Sequence, residues 1–176
     1  MKSNVRETWV STDDIKISNI AKSYGCNVID RPHNLALDNS QSEDSLKHFL
    51  ENINFDYLVF IQPTSPMIKA KDINEGLKMM DVYDSVFSAY SEHWYPRWTS
   101  EIKPINWKIT KRPMRQDKSN CYVENGAFYL TKKKNLEESG LRYSGKIGVY
   151  EMPYYRSFQV DTKDDLILIE KLMNSK

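Results

Sequence analysis

The sequence contains little of what metal centres and secreted scaffolds are built from. It has two cysteines and three histidines in 176 residues. Cys26 and Cys121 are too far apart for a metal-binding spacing, and two cysteines do not make a disulfide framework. The histidines, which are His33, His48 and His93, have no ligand spacing either. We therefore predict neither a Cys/His metal centre nor a disulfide-rich secreted domain.

An excess of charge of one sign is also missing. Lys and Arg together number 25 against 24 Asp and Glu, which gives a net charge of +1. A neutral protein has no global field to hold nucleic acid or an anionic membrane. The N-terminus has no apolar signal core, and no apolar run approaches the length of a membrane span. We expect no nucleic-acid partner, no membrane association and a cytoplasmic location.

Glycine is scarce, with six residues, and none of them belongs to a glycine-rich phosphate loop. No Ser/His/Asp or Cys/His arrangement indicates a nucleophilic enzyme. What the sequence does contain is 40% hydrophobic and 12% aromatic residues, which is typical of a folded globular protein. A chain of 176 residues fits a single domain with a sizeable core.

Short β-type runs alternate with amphipathic helical patterns along most of the chain. The predicted strands cover 5–10, 26–29, 57–61, 85–90, 125–130 and 147–152, and the predicted helices cover 15–24, 45–53, 72–80, 132–139 and 162–173. On the last helix, Leu166, Ile169 and Leu172 form one apolar stripe. Strands that alternate with helices indicate an α/β fold with a doubly wound parallel sheet.

The central stretch runs from Tyr57 to Pro66. Its first five residues, 57–61, are followed by the polar turn Gln62-Pro63-Thr64-Ser65-Pro66. Such a run predicts a strand buried on both faces of a parallel sheet. Ligands bind at the carboxyl ends of strands in open α/β sheets, so Gln62 is a candidate for recognising a base or a sugar. A stiff strand-to-helix turn explains the same residues.

Two further loops contain polar side chains that suit a nucleotide and a metal. Arg31, Ser40 and Ser42 combine a guanidinium with two hydroxyls, which suits a ribose or a phosphate. The alternative is a solvated loop whose serines, Ser42 and Ser45, cap the next helix. The second loop contains Asp161, which is a candidate Mg²⁺ ligand just before the last helix. A capping box made by Thr162 and Asp165 also explains that second cluster.

The segment 91–122 has no helical periodicity. Its aromatic and basic residues are interleaved, and they are Trp94, Tyr95, Arg97, Trp98, Lys103, Trp107, Lys108, Lys111, Arg112 and Arg115. We interpret the segment as an irregular β-arm. A cationic arm on a neutral protein fits a small anionic substrate, but the same residues suit a sheet edge or a subunit interface equally well.

Taken together, the order of the motifs resembles the acylneuraminate cytidylyltransferases, also called CMP-sialic acid synthetases. The resemblance covers nearly the whole chain. Its motifs are Ser11-Thr12-Asp13-Asp14, Arg31-Pro32 with Asp38 and Ser40, Gln62-Pro63-Thr64-Ser65-Pro66, Asp84-Ser85-Val86-Phe87-Ser88, Lys111-Arg112-Pro113 with Arg115-Gln116-Asp117, Glu124-Asn125-Gly126-Ala127-Phe128-Tyr129, Gly145-Lys146-Ile147 and Val160-Asp161-Thr162.

This resemblance implies a Rossmann-like nucleotidyltransferase sheet with helices on both faces, in one domain that spans 1–176. The arm at about 91–122 is expected to dimerise and to reach the sugar site of a second copy. The implied reaction is CTP plus a nine-carbon α-keto acid sugar, a nonulosonic acid, giving the CMP-sugar and pyrophosphate with Mg²⁺. Attack of the anomeric hydroxyl on the α-phosphate needs mainly positioning and charge neutralisation. The alternatives are a truncated, catalytically inactive dimeric relative and a relative that uses another nucleotide.

The resemblance also assigns roles to individual residues. Arg31, Ser40 and Ser42 look like nucleotide contacts. The implied sugar contacts are Gln62, Asn125 and Tyr129. Arg115 and Gln116 would sit at the reacting end as catalytic residues, and Asp161 would hold the metal.

The sequence departs from the family pattern at several places. Members begin with a strand and a loop that bears glycine, arginine and lysine, whereas Met1 falls just before the second strand of the pattern. This predicts a gap in the sheet where the first strand would lie. Met114 stands where many members have a second arginine, and Gln159 stands where many have a second metal-binding aspartate. Arg142 and Tyr143 stand where some members present aromatic residues to the sugar.

Overall fold

The computed structural model describes residues 3–93, 96–114 and 121–174, and it contains six strands and five α-helices in those ranges. In chain order they are β1 (Trp9–Thr12), α1 (Ile15–Ser23), β2 (Asn27–Asp30), α2 (Ser42–Asn52), β3 (Tyr57–Ile61), α3 (Ala70–Met79), β4 (Ser85–Ser91), β5 (Tyr122–Lys132), α4 (Lys133–Ser139), β6 (Ile147–Glu151) and α5 (Lys163–Asn174). Each predicted element is present. The largest error is the first strand, which begins at Trp9 rather than Val5.

Helix α1 shows why the sequence predicts where a helix begins and ends. The Asp14 carboxylate accepts hydrogen bonds from the backbone N–H groups of Lys16 and Ile17, at 2.6 and 3.0 Å. Those groups lack partners inside the helix, so an aspartate at this position stabilises the helix start. The chain leaves the helix through Gly25, whose positive φ of 79° suits glycine.

The sheet differs from the fully parallel arrangement that we predicted. β1 and β2 form a parallel pair, and the other strands form a sheet in the order β3-β5-β4-β6. β4 and β6 are parallel, but β5 runs antiparallel to both β3 and β4. The prediction of β3 as a strand buried in a parallel sheet was therefore wrong. A five-residue apolar run does not indicate whether the neighbouring strand is parallel or antiparallel. Here the neighbouring strand is β5, which follows the arm in the sequence.

The ends of β3 confirm its edge position. Among the described strands it pairs only with β5, and Tyr57 and Ile61 are 47% and 41% exposed. β1 likewise pairs only with β2 in the described part of the chain, so no backbone ladder joins the two sheets there. The gap predicted in the sheet stays a prediction.

Helices cover both faces of the four-stranded sheet, as predicted. On one face, Gly76 of α3 lies so close to β5 that a Cβ there would come within 3.0 Å of Leu130 Cδ1. This is the main core, and its buried members are Met80, Val86, Ala127, Phe128, Leu130 and Met152. On the other face Phe60 stacks on Tyr129 with ring centroids 5.8 Å apart, and an ion pair connects this layer to α2.

A buried ion pair joins the start of α3 to the segment that leads to α5. Asp72 is 1% exposed, and its carboxylate accepts hydrogen bonds from both terminal nitrogens of Arg156. It also accepts from the backbone N–H of Lys69 at 2.8 Å and from the Tyr150 hydroxyl at 3.1 Å. The network holds the 3₁₀ turn Tyr154–Arg156 against α3. Nothing in the sequence pattern indicated this network.

The arm is an excursion between two paired strands. Ser91 and Tyr122, which we assigned to the ends of the arm, pair with each other at the ends of β4 and β5. Isolated antiparallel bridges join Trp98 to Pro104 and Lys108 to Lys111. The Trp98 and Trp107 rings meet edge to face with centroids 4.9 Å apart. The described part of the arm is thus irregular, as predicted.

The apolar stripe predicted on the last helix is only partly correct. Ile169 is buried, but Leu166 is 55% exposed. Within the described ranges, no helix has the length and apolar character needed to cross a membrane.

Candidate functional site

A pocket of about 300 Å³ lies at the carboxyl end of β3, beside the loop that follows β2. Four of the residues that we predicted as ligand contacts line it, and they are Arg31, Ser40, Ser42 and Gln62. The remaining lining residues are Leu35, Ala36, Leu37, Gln41, Ser45, Phe60, Pro63 and Thr64. Residues from two separate segments, the β2–α2 connection with the start of α2 and the turn after β3, therefore converge where α/β sheets bind ligands.

A larger hollow of about 460 Å³ lies at the amino end of β3 and is lined by three lysines. Each lysine already has a partner. Lys132 Nζ lies 2.9 Å from Asp84, Lys133 Nζ lies 2.8 Å from Asn54, and Lys134 Nζ lies 3.8 Å from Glu138. Because these cations are matched locally, we assign the functional site to the smaller pocket.

Arg31 is anchored to the end of β1. Its Nη2 donates to the Ser11 carbonyl oxygen at 2.6 Å, and its Nε donates to the Ser11 hydroxyl at 3.1 Å. A guanidinium has five N–H donors, so these two bonds leave others for a ligand. The anchoring fixes the charge at the pocket wall, which lowers the entropy lost when an anion binds.

The two serines have different structural roles. The Ser40 hydroxyl accepts from the Leu37 backbone N–H at 3.0 Å and donates to the Asn34 carbonyl oxygen at 3.3 Å, so it closes the pocket loop on itself. Ser42 is the first residue of α2 rather than the residue that precedes the helix. The alternative in which Ser42 or Ser45 caps α2 is not realised, because Gln41 occupies the capping position.

Arg142 connects Phe60, a pocket residue, to the first turn of α2. Its Nε and Nη2 donate to the two carboxylate oxygens of Glu43 at 2.6 and 2.8 Å. Its guanidinium carbon lies 5.6 Å from the ring centroid of Phe60, which lines the pocket, and 4.9 Å from that of Tyr129. The hydrogen bonds from Arg142 hold the pKa of the Glu43 carboxyl below its usual value. Sequence reasoning noted Arg142 only as a departure from the family pattern.

Two of the predicted sugar contacts lie beneath the site surface. The Asn125 side chain is buried, and its Oδ1 accepts from the Ser88 hydroxyl at 2.6 Å while its Nδ2 donates to the Ser157 hydroxyl at 2.9 Å. Tyr129 is also buried, and its hydroxyl donates to Glu124. Burial and the nearby Glu124 carboxylate raise the pKa of Tyr129, which keeps the phenol protonated. In this structure both residues organise β5, and direct contact with a sugar stays a prediction.

Asp161 lies near the pocket turn. The residue before it, Val160, contacts that turn, because the Val160 backbone N–H donates to the Thr64 carbonyl oxygen at 2.8 Å. The capping box is also present, because Asp165 accepts from the Thr162 backbone N–H at 2.8 Å and Thr162 Oγ1 accepts from the Asp165 N–H at 3.2 Å. Asp161 contributes its backbone N–H to that cap and is itself exposed. Its carboxylate is thus separate from the capping role.

The remaining predictions concern metal binding and catalysis. Among the residues that the structure describes, no three His, Cys, Asp or Glu side chains cluster as a metal site. The predicted catalytic residues Arg115 and Gln116 lie outside the described ranges. Phe60 is a pocket residue that sequence reasoning missed, because an aromatic residue in an apolar run has the same pattern as a core residue.

The comparison with protein families decides the assignment. The family model described as cytidylyltransferase matches residues 1–176, which is the whole sequence. The chain belongs to the cytidylyltransferase family.

Curated proteins are similar to this cytidylyltransferase chain over most of its length. It is 35% identical to N-acylneuraminate cytidylyltransferase A of Danio rerio, over 96% of this chain and 41% of that protein. It is 28% identical to an N-acylneuraminate cytidylyltransferase of Streptococcus agalactiae serotype V, over 92% of this chain and 41% of that protein. The resemblance stated from the motifs is confirmed. The chain spans about two fifths of the length of these relatives.

Solved structures confirm the Rossmann-like fold of the cytidylyltransferase chain. A CMP:2-keto-3-deoxy-manno-octonic acid synthetase complexed with CTP matches with a TM-score of 0.68 and 18% identity, over 98% of this chain and 83% of that one. A 4-diphosphocytidyl-2C-methyl-D-erythritol synthase matches with a TM-score of 0.71 and 9% identity, over 98% of this chain and 85% of that one. At these identities the likeness concerns the fold.

Proposed function

We propose that this chain binds CTP in the pocket at the end of β3 and transfers CMP to a nonulosonic acid sugar, with release of pyrophosphate. The observation on which the proposal rests is the convergence of Arg31, Ser40, Ser42 and Gln62 on one pocket. Family membership and the names of the curated relatives support CTP and an N-acylneuraminate-type sugar as the substrates.

The arrangement suits a reaction that proceeds by positioning. Arg31 offers a fixed positive charge to a phosphate or ribose, and Ser42 offers a hydroxyl to the same pocket. Gln62 stands at the end of β3, where a sugar can lie next to the nucleotide. Holding the anomeric hydroxyl near the α-phosphate in this way replaces a bimolecular encounter with an intramolecular one.

A magnesium ion fits the exposed Asp161 carboxylate. Mg²⁺ in phosphoryl-transfer sites takes one or two protein carboxylates together with substrate phosphates, so a three-residue cluster is not required. Asp161 follows Val160, whose backbone N–H donates to the Thr64 carbonyl oxygen of the pocket turn, so Asp161 belongs to a segment that contacts the pocket turn. Such an ion would neutralise charge on the triphosphate.

The proposal includes a homodimer built through the arm. The described part of the arm has large apolar residues on its surface, and Ile102, Ile105 and Ile109 are 73%, 61% and 69% exposed. The Trp98 and Trp107 rings pack against each other within the arm. Light scattering coupled to size-exclusion chromatography tests this by measuring whether the mass is twice 20.7 kDa. A cytoplasmic location stays a prediction.

Isothermal titration of CTP, with Mg²⁺, into the purified 176-residue chain tests the nucleotide site. We expect micromolar binding, weakened at least about tenfold by Arg31→Ala, because a hydrogen bond to a charged group contributes about 1.5–3 kcal/mol. Lys22→Ala, on the exposed surface of α1, is the matched control and should bind CTP normally. Absence of CTP binding by the folded chain would refute the proposal. Pyrophosphate release with N-acetylneuraminic acid then tests the transfer step.

A further inference from the structure

Two glutamine side chains meet over a glycine next to the pocket. Gly126 has a positive φ of 65°, and a Cβ built on it would lie closer than 3.0 Å to both Gln62 Oε1 and Gln159 Nε2. Gln62 arrives from the end of β3, and Gln159 arrives from the segment before α5. Only a residue without a side chain leaves room for both amides. We call Gln62, Gly126 and Gln159 the amide junction.

The amide junction rests on an irregular part of β5. Phe87 of β4 pairs with Tyr129 and Ala89 pairs with Glu124, so residues 125–128 of β5 lie opposite Ser88 alone. This bulge turns the backbone at Gly126 out of the regular ladder. The Ser88 hydroxyl accepts from the Phe128 N–H at 2.9 Å and thereby pins the bulge.

A buried polar layer holds the Gln159 amide in place. The Asn125 amide bonds to Ser88 and Ser157, and all three side chains are buried. Gln159 Nε2 donates to the Asn125 carbonyl oxygen. That bond points the Gln159 nitrogen into the protein and leaves its Oε1 as an acceptor for another group. The Gln159 amide and the backbone at Gly126 are therefore pre-organised.

Gln62 belongs both to the amide junction and to the pocket lining. A ligand on the junction would consequently lie immediately beside a nucleotide in the pocket. Neutral amides both donate and accept hydrogen bonds, so they match hydroxyl and N-acyl groups. A carboxylate or a phosphate would instead call for a cation.

We propose that the amide junction recognises the hydroxyl and N-acyl groups of the acceptor sugar, and that Gln159 and Gly126 determine specificity there. This proposal rests on the proposed function, since it names the part of the sugar that the same site reads. Sites built to hydrogen-bond a hydroxyl discriminate strongly against analogues that lack it, because the buried polar groups then stay unpaired.

The test follows the glutamine side chains by NMR. The sequence has four glutamines, which are Gln41, Gln62, Gln116 and Gln159. Their side-chain NH₂ signals in ¹⁵N-labelled protein can be assigned with single Gln→Glu variants. Titration with N-acetylneuraminic acid, alone and with CTP present, should shift the Gln62 and Gln159 signals. CTP with Mg²⁺ should shift the signal of Gln41, which lines the pocket.

These readouts separate the two proposals. An unchanged Gln159 signal at saturating sugar overturns the amide junction as a sugar site, whether or not CTP binds. An unchanged Gln41 signal at high CTP counts instead against the proposed nucleotide site. The two signals are recorded on the same full chain, so loss of folding would be visible in the remaining spectrum.

Variants provide an independent measure of the proposal. Gln159→Ala should weaken sugar binding at least about tenfold, the effect of losing roughly 1.4 kcal/mol of hydrogen bonding, while CTP affinity stays within twofold. Asn52→Ala, which removes an exposed amide at the end of α2, is the matched control. Equal sugar affinity in Gln159→Ala and Asn52→Ala refutes the role of Gln159. Equal weakening of sugar and CTP binding would also refute it, since that result indicates a structural role.

Discussion

The Asp72–Arg156 pair offers the sharpest stability prediction, through Asp72→Asn. The Asp72 and Arg156 side chains are 2% and 10% exposed, and two hydrogen bonds join them. Removing one charge from a buried pair leaves the other uncompensated, which costs about 3–5 kcal/mol. Arg156 Nη1 keeps a contact with the Met67 carbonyl oxygen at 3.3 Å, so we expect the lower end, about 3 kcal/mol.

Thermal unfolding followed by circular dichroism at pH 7 measures this effect. In a protein of this size, 1 kcal/mol shifts the Tm by about 2–4 °C, so Asp72→Asn should lower it by about 6–12 °C. Glu75→Gln is the matched control, because it removes an exposed ion pair with Lys78 that contributes little. If Asp72→Asn and Glu75→Gln unfold at the same temperature, the buried pair does not stabilise the fold.

The same pair gives a dependence of stability on pH. Burial acts to raise the pKa of Asp72, but the hydrogen bonds from Arg156 and from the Lys69 backbone outweigh it, so the pKa lies below its ordinary value of 3.8. A carboxyl with a lower pKa in the folded state stabilises that state above its ordinary pKa. This contribution is lost as the pH falls below about 4. The difference in free energy of unfolding between the wild type and Asp72→Asn should thus be constant from pH 7 to 5 and shrink below pH 4. An unchanged difference at pH 3 would contradict the lowered pKa of Asp72.

Three further predictions concern the site. Arg142→Lys cannot keep both hydrogen bonds to Glu43, so we expect weaker CTP binding in titration calorimetry and a lower Tm; wild-type values for both would show that Arg142 does not support the pocket through Phe60. Asp161→Asn should abolish Mg²⁺-dependent pyrophosphate release without changing the Tm. Asp165→Asn should lower the Tm and leave activity unchanged, because Asp165 caps α5. The reverse pattern would show that Asp165, and not Asp161, binds the metal. Gln62→Ala should raise the KM for the sugar in steady-state assays without unfolding, and unchanged kinetics would exclude Gln62 from the site.

Local chemistry explains why most elements could be predicted. Asp14 caps α1 through its own carboxylate, and the Thr162–Asp165 box begins α5 in the same way. These interactions span three residues or fewer, so the sequence contains all the information about them. The order of the motifs likewise indicated the family before any geometry was known. Four residues that it suggested as nucleotide or sugar contacts, Arg31, Ser40, Ser42 and Gln62, line one pocket.

Contacts between distant segments were not predictable. Residues more than 60 positions apart are joined by the antiparallel pairing of β5 with β3, by the Asp72–Arg156 pair and by the Arg142–Glu43 pair. No local propensity selects one distant partner over another, because any exposed carboxylate matches an arginine equally well in sequence. Asn125 illustrates the consequence, since its motif indicated a sugar contact while the fold uses its amide internally.

The sequence by itself determined which helices and strands form, which family the chain resembles and four polar residues that line one pocket. Only the tertiary structure decided that β5 runs antiparallel between β3 and β4, and that Gly126 leaves room for Gln62 and Gln159 to meet. The physical reason is one of range. Capping and periodicity act within a few residues, whereas the pairing of strands and the convergence of side chains depend on which surfaces the whole chain buries together.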